Sequence, residues 1–321
     1  MPTLSHRIEL MPTADQVEYF QRACGTARRV WNWGLAEWNR QYRAGERPSA
    51  MALKKQFNAI KYSDPGWLDE EGLPWLKGIH RDAHARPFAN LGKAWSRYFA
   101  QLAAGARSAP DDRATRRRLR AAGVQLAYPP TWKKKGRCED RFYIANDKLS
   151  LSGREARLPL IGRIPLREAL RFEGKVMGAS VSRSADRWYL SVQVEVAEAH
   201  YRRRRTGDGI TGVDLGVRHA AVLSCGEAIE GPKPLQAALR RIKLRNRAVS
   251  RKVEAARAAL RAASGGSIPK GTRLPVSGQR RRAAGQLART HARAANIRRD
   301  FTHKLTTRLC RENQAVVLED L

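Results

Sequence analysis

The chain has 321 residues, a formal net charge of +32 and a hydrophobic content of 42%. The hydrophobic content suffices for two or three packed domains and excludes a wholly disordered chain. So large a positive charge destabilises a compact monomer by self-repulsion, so a polyanionic partner such as nucleic acid is favoured over a merely basic surface.

Two further classes of protein are disfavoured by the sequence. No apolar run approaches the roughly 18 residues needed to span a membrane, and the N-terminus lacks the apolar stretch of a signal peptide. We therefore expect a cytoplasmic protein. The four cysteines lie far apart without a C-x-x-C pair, so we predict reduced, mostly buried thiols and no zinc site in this chain; they are Cys24, Cys138, Cys225 and Cys310.

The N-terminal third is predicted to be one strand followed by helices. Residues 6–11 alternate polar and apolar side chains, which is typical of a half-buried strand. Thr13 and Gln16 have the spacing of a helix capping box. From residue 15 to residue 99 apolar residues recur every three or four positions, which indicates helices that bury one face. Loops are predicted at residues 45–48 and 63–66, where turn-forming residues cluster.

The middle of the chain changes to short strands after a basic run at residues 113–120. Strand-like segments separated by Asn, Asp, Gly and Pro favour a small barrel or sandwich; they are residues 141–144, 148–151, 178–182 and 188–194. Because the first strand of the chain precedes the helices, the helical block is predicted to be an insertion into this β domain.

The last third begins after a basic linker at residues 202–205. A buried strand is predicted at residues 210–215 and a second strand at 220–224, followed by two long basic helices. The first helix carries one apolar face, formed by Leu235, Leu239, Ile242, Val249, Val253 and Leu260. A flexible interruption at residues 264–278 precedes the second helix, at about 281–312, and residues 315–318 form a final apolar strand.

Two carboxylates stand at the ends of predicted strands, Asp214 in the first and Glu319 after the last. A carboxylate at the tip of a buried strand is costly unless it is paired, hydrogen-bonded or bound to a metal. Two such carboxylates on neighbouring strands repel each other, and a hard divalent cation relieves that repulsion. The pair therefore suggests a metal-dependent nuclease site, while a cap or an ion pair is the ordinary role of either residue alone.

The segments around these carboxylates resemble a known family. Residues 212–216 (Gly-Val-Asp-Leu-Gly) with 220–224 are similar to the first motif of a RuvC-type nuclease of the RNase H fold. Residues 291–309, leading into 317–321, resemble the helix and second motif of the TnpB family of transposon-encoded RNA-guided DNA nucleases, which are related to miniature type V CRISPR effectors.

The likeness extends over the whole chain. Residues 28–35 resemble the family's Arg-x-x-Tyr-Asn-x-x-Leu helix, with Trp31 in place of the tyrosine. Residues 132–136, Trp-Lys-Lys-Lys-Gly, resemble its lysine stretch. The segments at 53–58, 65–67, 89–95, 180–183 and 185–188 continue the series in the family's order.

The resemblance implies an α+β multidomain fold. A helical recognition block, residues 13–122, is inserted in a small wedge-like β-barrel domain made by residues 1–12 and 123–205. Residues 206–321 are expected to form a partial RNase H-like (RuvC) α/β domain. The family continues beyond its catalytic Glu with a four-cysteine zinc module and a third motif with a catalytic Asp. Neither is in this sequence, so we expect a C-terminally truncated member.

The resemblance also implies the partners and the site. We expect guide RNA and target DNA as partners, a prokaryotic, nucleoid-associated location, and Mg²⁺ held by Asp214 and Glu319 as catalytic residues. Nucleic-acid contacts are expected from Arg28, Asn32, Lys54, Lys133, Lys134, Lys135, Arg299 and Lys304. A solvated charge run is the simpler alternative for Lys133–Lys135, and a helix-bracing role for Arg28 and Asn32. From the residue type alone, Trp31, Trp33, Trp38 and Trp95 are expected in the core, with base stacking as the alternative, and Trp188 is expected in the core.

Three functions remain open from the sequence. The first is an RNA-guided DNA endonuclease with metal-dependent phosphodiester hydrolysis in its complete form. The second is a nuclease-dead, RNA-guided DNA-binding regulator, which the retention of both carboxylates disfavours. The third is an unguided DNA-binding accessory of transposition. All three predict an affinity for nucleic acid that falls steeply with salt.

Overall fold

The computed structural model describes residues 1–198, 206–269 and 271–319. These residues divide into two compact units, a first unit of residues 1–183 with 187–197 and a second unit of residues 184–186 with 198–321. The predicted basic linker at residues 202–205 lies outside the described residues.

The first unit contains one strand, four helices and eight further strands. In chain order they are β1 (Thr3–Leu10), α1 (Ala14–Arg43), α2 (Ala50–Ile60), α3 (Arg81–Ala103), β2 (Arg107–Ser108), α4 (Arg113–Ala121), β3 (Leu126–Ala127), β4 (Arg141–Ala145), β5 (Ser150–Ser152), β6 (Glu155–Leu158), β7 (Gly162–Pro165), β8 (Lys175–Ser184) and β9 (Arg187–Glu195). Short 3-10 turns at Pro65–Trp67 and Trp75–Gly78 connect α2 to α3.

Helix α1 begins as the sequence predicts. The Thr13 hydroxyl accepts a hydrogen bond from the Gln16 N–H, and the Gln16 side chain accepts one from the Thr13 N–H, which together form a capping box. The 30-residue helix then buries one face along its whole length. At Gly34 it approaches α3 so closely that an added Cβ would lie 3.2 Å from Leu91 Cδ2.

The strands of the first unit form a four-stranded sheet in the order β1-β9-β8-β4, a three-stranded sheet in the order β5-β6-β7 and a parallel pair, β2-β3. Strand β1 pairs with β9 over eight residues, although four helices and seven strands separate them in sequence. One isolated bridge, Leu10 to Leu166, joins the two sheets. The expected closed barrel is not found among the described strands, because this bridge is the only link between the sheets that the structure shows there.

Two cores stabilise the first unit. Residues of α1 pack on the four-stranded sheet, with the Phe20 ring 5.0 Å from the Trp188 ring and 5.7 Å from the Phe142 ring. Residues of α1, α2 and α3 form a second, aromatic core, in which Trp38 stacks on Trp95 at 5.3 Å. The tryptophans expected in the core are there, Trp33 at its edge. Helix α1 contributes to both cores, so the helices and the four-stranded sheet are packed together. The domain boundary predicted at residue 122 stays a prediction.

The second unit is a small sheet with two long helices. Its elements are β10 (Gly209–Asp214), β11 (Ala221–Leu223), β12 (Ala228–Ile229), α5 (Pro234–Ala263), α6 (Gly278–Glu312) and β13 (Asn313–Leu318). The sheet order is β12-β11-β10-β13, with β13 parallel to β10 and the other two pairs antiparallel. Val213, Ala221, Leu223 and Leu309 form its small buried core.

Three expectations for buried residues are wrong. Only Cys24 of the four free cysteines is buried; Cys138 is half-buried and Cys225 and Cys310 are exposed. Helix α5 has no buried residue, and Leu235 and Leu239 on its predicted apolar face are more than 40% exposed. The strand predicted as buried at residues 210–215 has Ile210 71% exposed. In the part of the chain that the structure describes, too few elements cover these faces.

Candidate functional site

Asp214 and Glu319 lie at one edge of the second unit's sheet. Strand β10 ends at Asp214, and Glu319 directly follows β13. The parallel register pairs Gly212 with Val317 and Val213 with Leu318. Each carboxylate therefore follows directly after the last residue of its strand that is paired in this register. Both line one depression of about 380 Å³. The structure therefore brings together two residues that are 105 positions apart in sequence.

The end of β10 is held by a serine on the neighbouring strand end. The N–H of Gly212 donates to Ser224 Oγ at 3.1 Å, and the Ser224 N–H donates to the Gly212 carbonyl at 2.9 Å. The next residue, Val213, is buried in the small core with Ala221, Leu223 and Leu309 and anchors the strand there. This local framework fixes the backbone from which Asp214 projects, as a ligand residue requires.

The two carboxylates are exposed, contrary to the sequence argument that placed them at the tips of buried strands. The reason is that Ile210, Val317 and Leu318 beside them are more than half exposed, so the sheet edge is not covered in the described part of the chain. Among the described residues, no ion pair or hydrogen bond to either carboxylate is found. The cost of burying charge therefore gives no argument for a metal here.

The donor set nevertheless fits a hard divalent cation. Two carboxylates with open space around them suit Mg²⁺, which is commonly bound by one or two carboxylates and keeps several water molecules. Among the residues that the structure describes, no group of three or more His, Cys, Asp or Glu side chains is arranged to hold a metal. The role of Asp214 and Glu319 as metal ligands and catalytic residues stays a prediction.

Three of the residues predicted to contact nucleic acid have partners within the protein. The Arg28 guanidinium forms an ion pair with Asp140, both largely buried. Asn32 is hydrogen-bonded to the backbone of Lys133. The Lys133 ammonium lies 3.8 Å from the Trp31 ring centroid, and burial lowers the pKa of Lys133. These contacts favour the bracing role for Arg28 and Asn32.

The other predicted contact residues are more accessible. Lys134, Lys135 and Arg299 are exposed, and Lys54 is half-buried on α2. Lys304 is exposed and forms an ion pair with Asp300 at 2.7 Å, one turn earlier on α6. Arg299 and Lys304, which belong to the same unit as Asp214, are not among the described residues that line the depression beside it. Their contacts with nucleic acid stay predictions.

Helices α5 and α6 carry a large part of the positive charge. Helix α5 has nine basic residues and one acidic residue, and α6 has ten and two. These basic helices could be predicted from the sequence. Arg86 and Arg141, which with Tyr143 line a cleft of the first unit, could not be singled out in this way. No local pattern marks them, because α3 and β4 are far apart in sequence.

Comparison with known proteins gives matches at both ends of the chain. Residues 190–321 match the OrfB_IS605 family, described as "Probable transposase", and residues 1–47 match its "Helix-turn-helix domain". In this structure the latter residues form strand β1 and helix α1.

Relatives match nearly the whole chain. A Mycobacterium tuberculosis (strain H37Rv) protein named "Putative RNA-guided DNA endonuclease" is 28% identical over 98% of the chain. The Escherichia coli K12 protein InsQ, with the same description, is 24% identical over 98%, and one from Streptomyces pristinaespiralis is 28% identical over 97%. The chain covers 65% of the length of each relative. The resemblance to this transposon-associated family is confirmed.

A cryo-EM structure of a CRISPR-Cas12f ternary complex aligns with 96% of the chain and 63% of that chain. The TM-score is 0.33 and the sequence identity 11%. A likeness this low supports no conclusion about function. Among the described residues, no helix is both long enough and apolar enough to cross a membrane.

Proposed function

We propose that this relative of the transposon-associated RNA-guided nucleases binds a guide RNA and the DNA that the guide matches. We further propose that it carries two of the acidic residues of a metal-dependent DNA endonuclease. The observation that carries the proposal is that relatives named as RNA-guided DNA endonucleases match 97–98% of this chain. The family match over residues 190–321 includes the motifs on β10 and after β13.

The charge of the protein supports a nucleic-acid partner. A net charge of +32 needs polyanions to offset self-repulsion, and two long helices with nineteen basic and three acidic residues concentrate it. In guided recognition, base pairing reads the sequence and the protein contacts backbone. Such binding needs many Arg and Lys side chains and few base-specific contacts.

The sheet edge of the second unit is the proposed metal site. Asp214 and Glu319 would hold Mg²⁺, which when bound supplies charge stabilisation for hydrolysis of a phosphodiester. The protein's own contribution is to fix the two carboxylates on neighbouring parallel strands, through the β10–β13 register and the Ser224 hydrogen bonds. The mixed sheet, with three antiparallel strands and a parallel fourth, suits the RNase H-like core proposed for this unit.

The finer architecture is also proposed. The two sheets of the first unit would form the wedge-like domain around the inserted helices, although they do not close into a barrel among the described residues. DNA as a partner would place the protein at the prokaryotic nucleoid. Arg28, Asn32 and Lys133 would then act by shaping the loop that presents Lys134 and Lys135, rather than through free charges of their own.

The test starts from the RNA that purifies with the full chain. That RNA is sequenced, and binding of the complex is measured to DNA matching its variable segment and to scrambled DNA. The proposal expects a strong preference for matched DNA that RNase treatment abolishes. Binding that ignores the RNA and survives RNase would overturn it in favour of an unguided accessory protein. Mg²⁺-dependent cutting of the matched DNA by the same complex would identify an endonuclease, and guided binding without cutting would favour a DNA-binding regulator.

A further inference from the structure

The first unit contains a cleft of about 500 Å³ between α1, α3 and β4. The cleft lies far in sequence from the carboxylates of the second unit. The side chains that matter for its chemistry are Trp31, Arg86, Asn90, Lys133, Arg141 and Tyr143. A volume of this size suits a small ligand or one unit of a polymer, and is in the usual range of ligand pockets.

Arg86 is the most unusual residue of the cleft. Its guanidinium carbon lies 4.3 Å from the centroid of the Tyr143 ring, so the charged plane is held against an aromatic face. The side chain is half-buried, and among the described residues it has neither an ion-pair partner nor a hydrogen-bond acceptor. A half-buried guanidinium with unused donors is a ready site for an anion.

The backbone around Tyr143 holds that arrangement in place. The Tyr143 hydroxyl donates a hydrogen bond to the Met177 carbonyl at 3.2 Å and lies against Gly178. Gly178 has a φ of +139°, and a Cβ added there would clash with the Tyr143 hydroxyl. A glycine is therefore required at this position for the ring, and hence the guanidinium, to sit as they do.

The remaining charges of the cleft are predominantly positive. Arg141 is exposed and has no ion pair among the described residues, and its charge adds to burial in lowering the pKa of Lys133. Arg28 is already offset by Asp140. Glu139 is the one carboxylate among the described lining residues. Two cations, Arg86 and Arg141, thus remain available to a ligand.

The chemistry of these groups indicates a nucleotide. A guanidinium supported on one face by tyrosine can stack on a base with the other, and a second guanidinium can bind the phosphate. Asn90 and Gln193 are exposed amides at the same cleft and can pair with a base edge. A base in a duplex is stacked between its neighbours and cannot enter, whereas an unpaired base can.

We propose that this cleft binds one unpaired nucleotide of a single strand, with Arg86 stacked on the base and Arg141 at the phosphate. The proposal deepens the proposed function by naming a subsite for a strand, and it rests on that function for the identity of the polymer. It names no sequence preference.

Cys138 provides a local readout because its half-buried thiol lines the cleft and its Sγ donates to the Lys134 carbonyl at 3.2 Å. In the 321-residue chain carrying C225S and C310S, Cys138 is the accessible thiol, since Cys24 is buried. Nuclease-treated protein is alkylated with and without oligothymidylate of about 10 nucleotides, a length within the usual site size. The same-length dT·dA duplex is compared at saturating concentration.

The single strand is expected to slow alkylation of Cys138 about fivefold by excluding the reagent from the cleft. The duplex is expected to leave it nearly unchanged. R86A should abolish the protection, and R86K should lose most of it because an ammonium cannot stack as a plane. R97A, which removes an exposed arginine of the same helix α3 outside the cleft, should keep it. Thermal unfolding followed by tryptophan fluorescence checks that each variant is folded.

Equal protection in R86A and R97A, or equal protection by strand and duplex, would overturn the proposal. So would the absence of protection when fluorescence anisotropy shows the strand bound. None of these results concerns guide-dependent DNA capture, which is measured on the RNA complex. Failure of nucleotide binding in the cleft is therefore distinguished from failure of guided DNA binding.

Discussion

Asn32 on α1 and Lys133, 101 residues later, are joined by two hydrogen bonds between a side-chain amide and a backbone. Asn32 Nδ2 donates to the Lys133 carbonyl at 3.0 Å, and the Lys133 N–H donates to Asn32 Oδ1 at 2.8 Å. The Trp31 indole N–H donates to the Thr131 carbonyl at 3.0 Å beside them. These bonds fix the loop that contains Lys133, Lys134 and Lys135 on helix α1.

The first prediction concerns the two hydrogen bonds between Asn32 and the backbone of Lys133. N32A leaves a part-buried donor and acceptor of Lys133 unsatisfied, so the free energy of unfolding of the first unit should fall by about 1–3 kcal/mol. Urea unfolding followed by tryptophan fluorescence measures it, because all eight tryptophans lie in that unit. N58A, at an exposed position of α2, should change stability by less than about 0.5 kcal/mol. Equal losses of unfolding free energy in N32A and N58A would contradict a stabilising role for the hydrogen bonds between Asn32 and Lys133.

The second prediction concerns the response of stability to acid. His84 is buried beside Phe57, with ring centroids 6.0 Å apart, and burial lowers its pKa to about 4. Below about pH 6.5 the unfolded chain binds a proton at this residue that the folded chain does not. The unfolding free energy should therefore fall by about 2 kcal/mol from about pH 7.5 to pH 5 through this residue.

The variant H84F isolates that contribution. Burial also lowers the pKa of His80 and His6, so the wild-type protein loses further stability in the same direction. H84F should flatten the dependence of unfolding free energy on pH, while H291F, at an exposed position of α6, should leave it unchanged. Urea unfolding at both pH values provides the comparison. An unchanged slope in H84F would show that His84 does not titrate as described.

The third prediction concerns thiol reactivity. Burial raises the pKa of the Cys24 thiol, with Asp140 contributing, whereas Cys225 and Cys310 are exposed. Timed alkylation with peptide mapping by mass spectrometry should label Cys225 and Cys310 first and Cys138 more slowly. Cys24 should react only after denaturation. Labelling of Cys24 at the rate of Cys225 in the folded protein would contradict the packing of α1 on the sheet.

The fourth prediction concerns the two carboxylates at the sheet edge. D214N and E319Q should each leave the unfolding free energy within about 0.5 kcal/mol, because both side chains are exposed and lack partners among the described residues. Each should weaken binding of Mn²⁺, used as a paramagnetic substitute for Mg²⁺ and titrated into nuclease-treated protein. D300N, which removes an exposed carboxylate paired with Lys304 on α6, is the matched control. Unchanged Mn²⁺ binding in both site variants would refute the metal site.

Much of the local structure could be predicted from the sequence because short-range chemistry determines it. The capping box of Thr13 and Gln16 depends on residues three apart, and the helical spacing of Trp31, Trp38 and Trp95 places them in the core. The strands that end at Asp214 and before Glu319 follow from short apolar runs bounded by turn residues. Their parallel register is a tertiary fact that the motifs alone did not contain.

What could not be predicted depends on which surfaces meet. The apolar pattern of β10 indicated burial, yet Ile210 is exposed because a strand's second face is buried only if another element covers it. The hydrogen bonds from Asn32 to Lys133 join positions 101 apart, so the motif that contains Asn32 left a nucleic-acid contact and a bracing role both open. The cleft residues Arg86 and Tyr143 likewise come from two distant elements with no shared motif.

If RNA sequence directs this protein to DNA, as proposed, then reprogramming the RNA should redirect the protein. The variable segment of the co-purified RNA is replaced by a new sequence, the complex is reassembled with the full chain, and binding to old and new DNA targets is measured side by side. Binding is expected to move to the new target and to leave the old one. Continued binding to the old target, or equal binding to both, would contradict it.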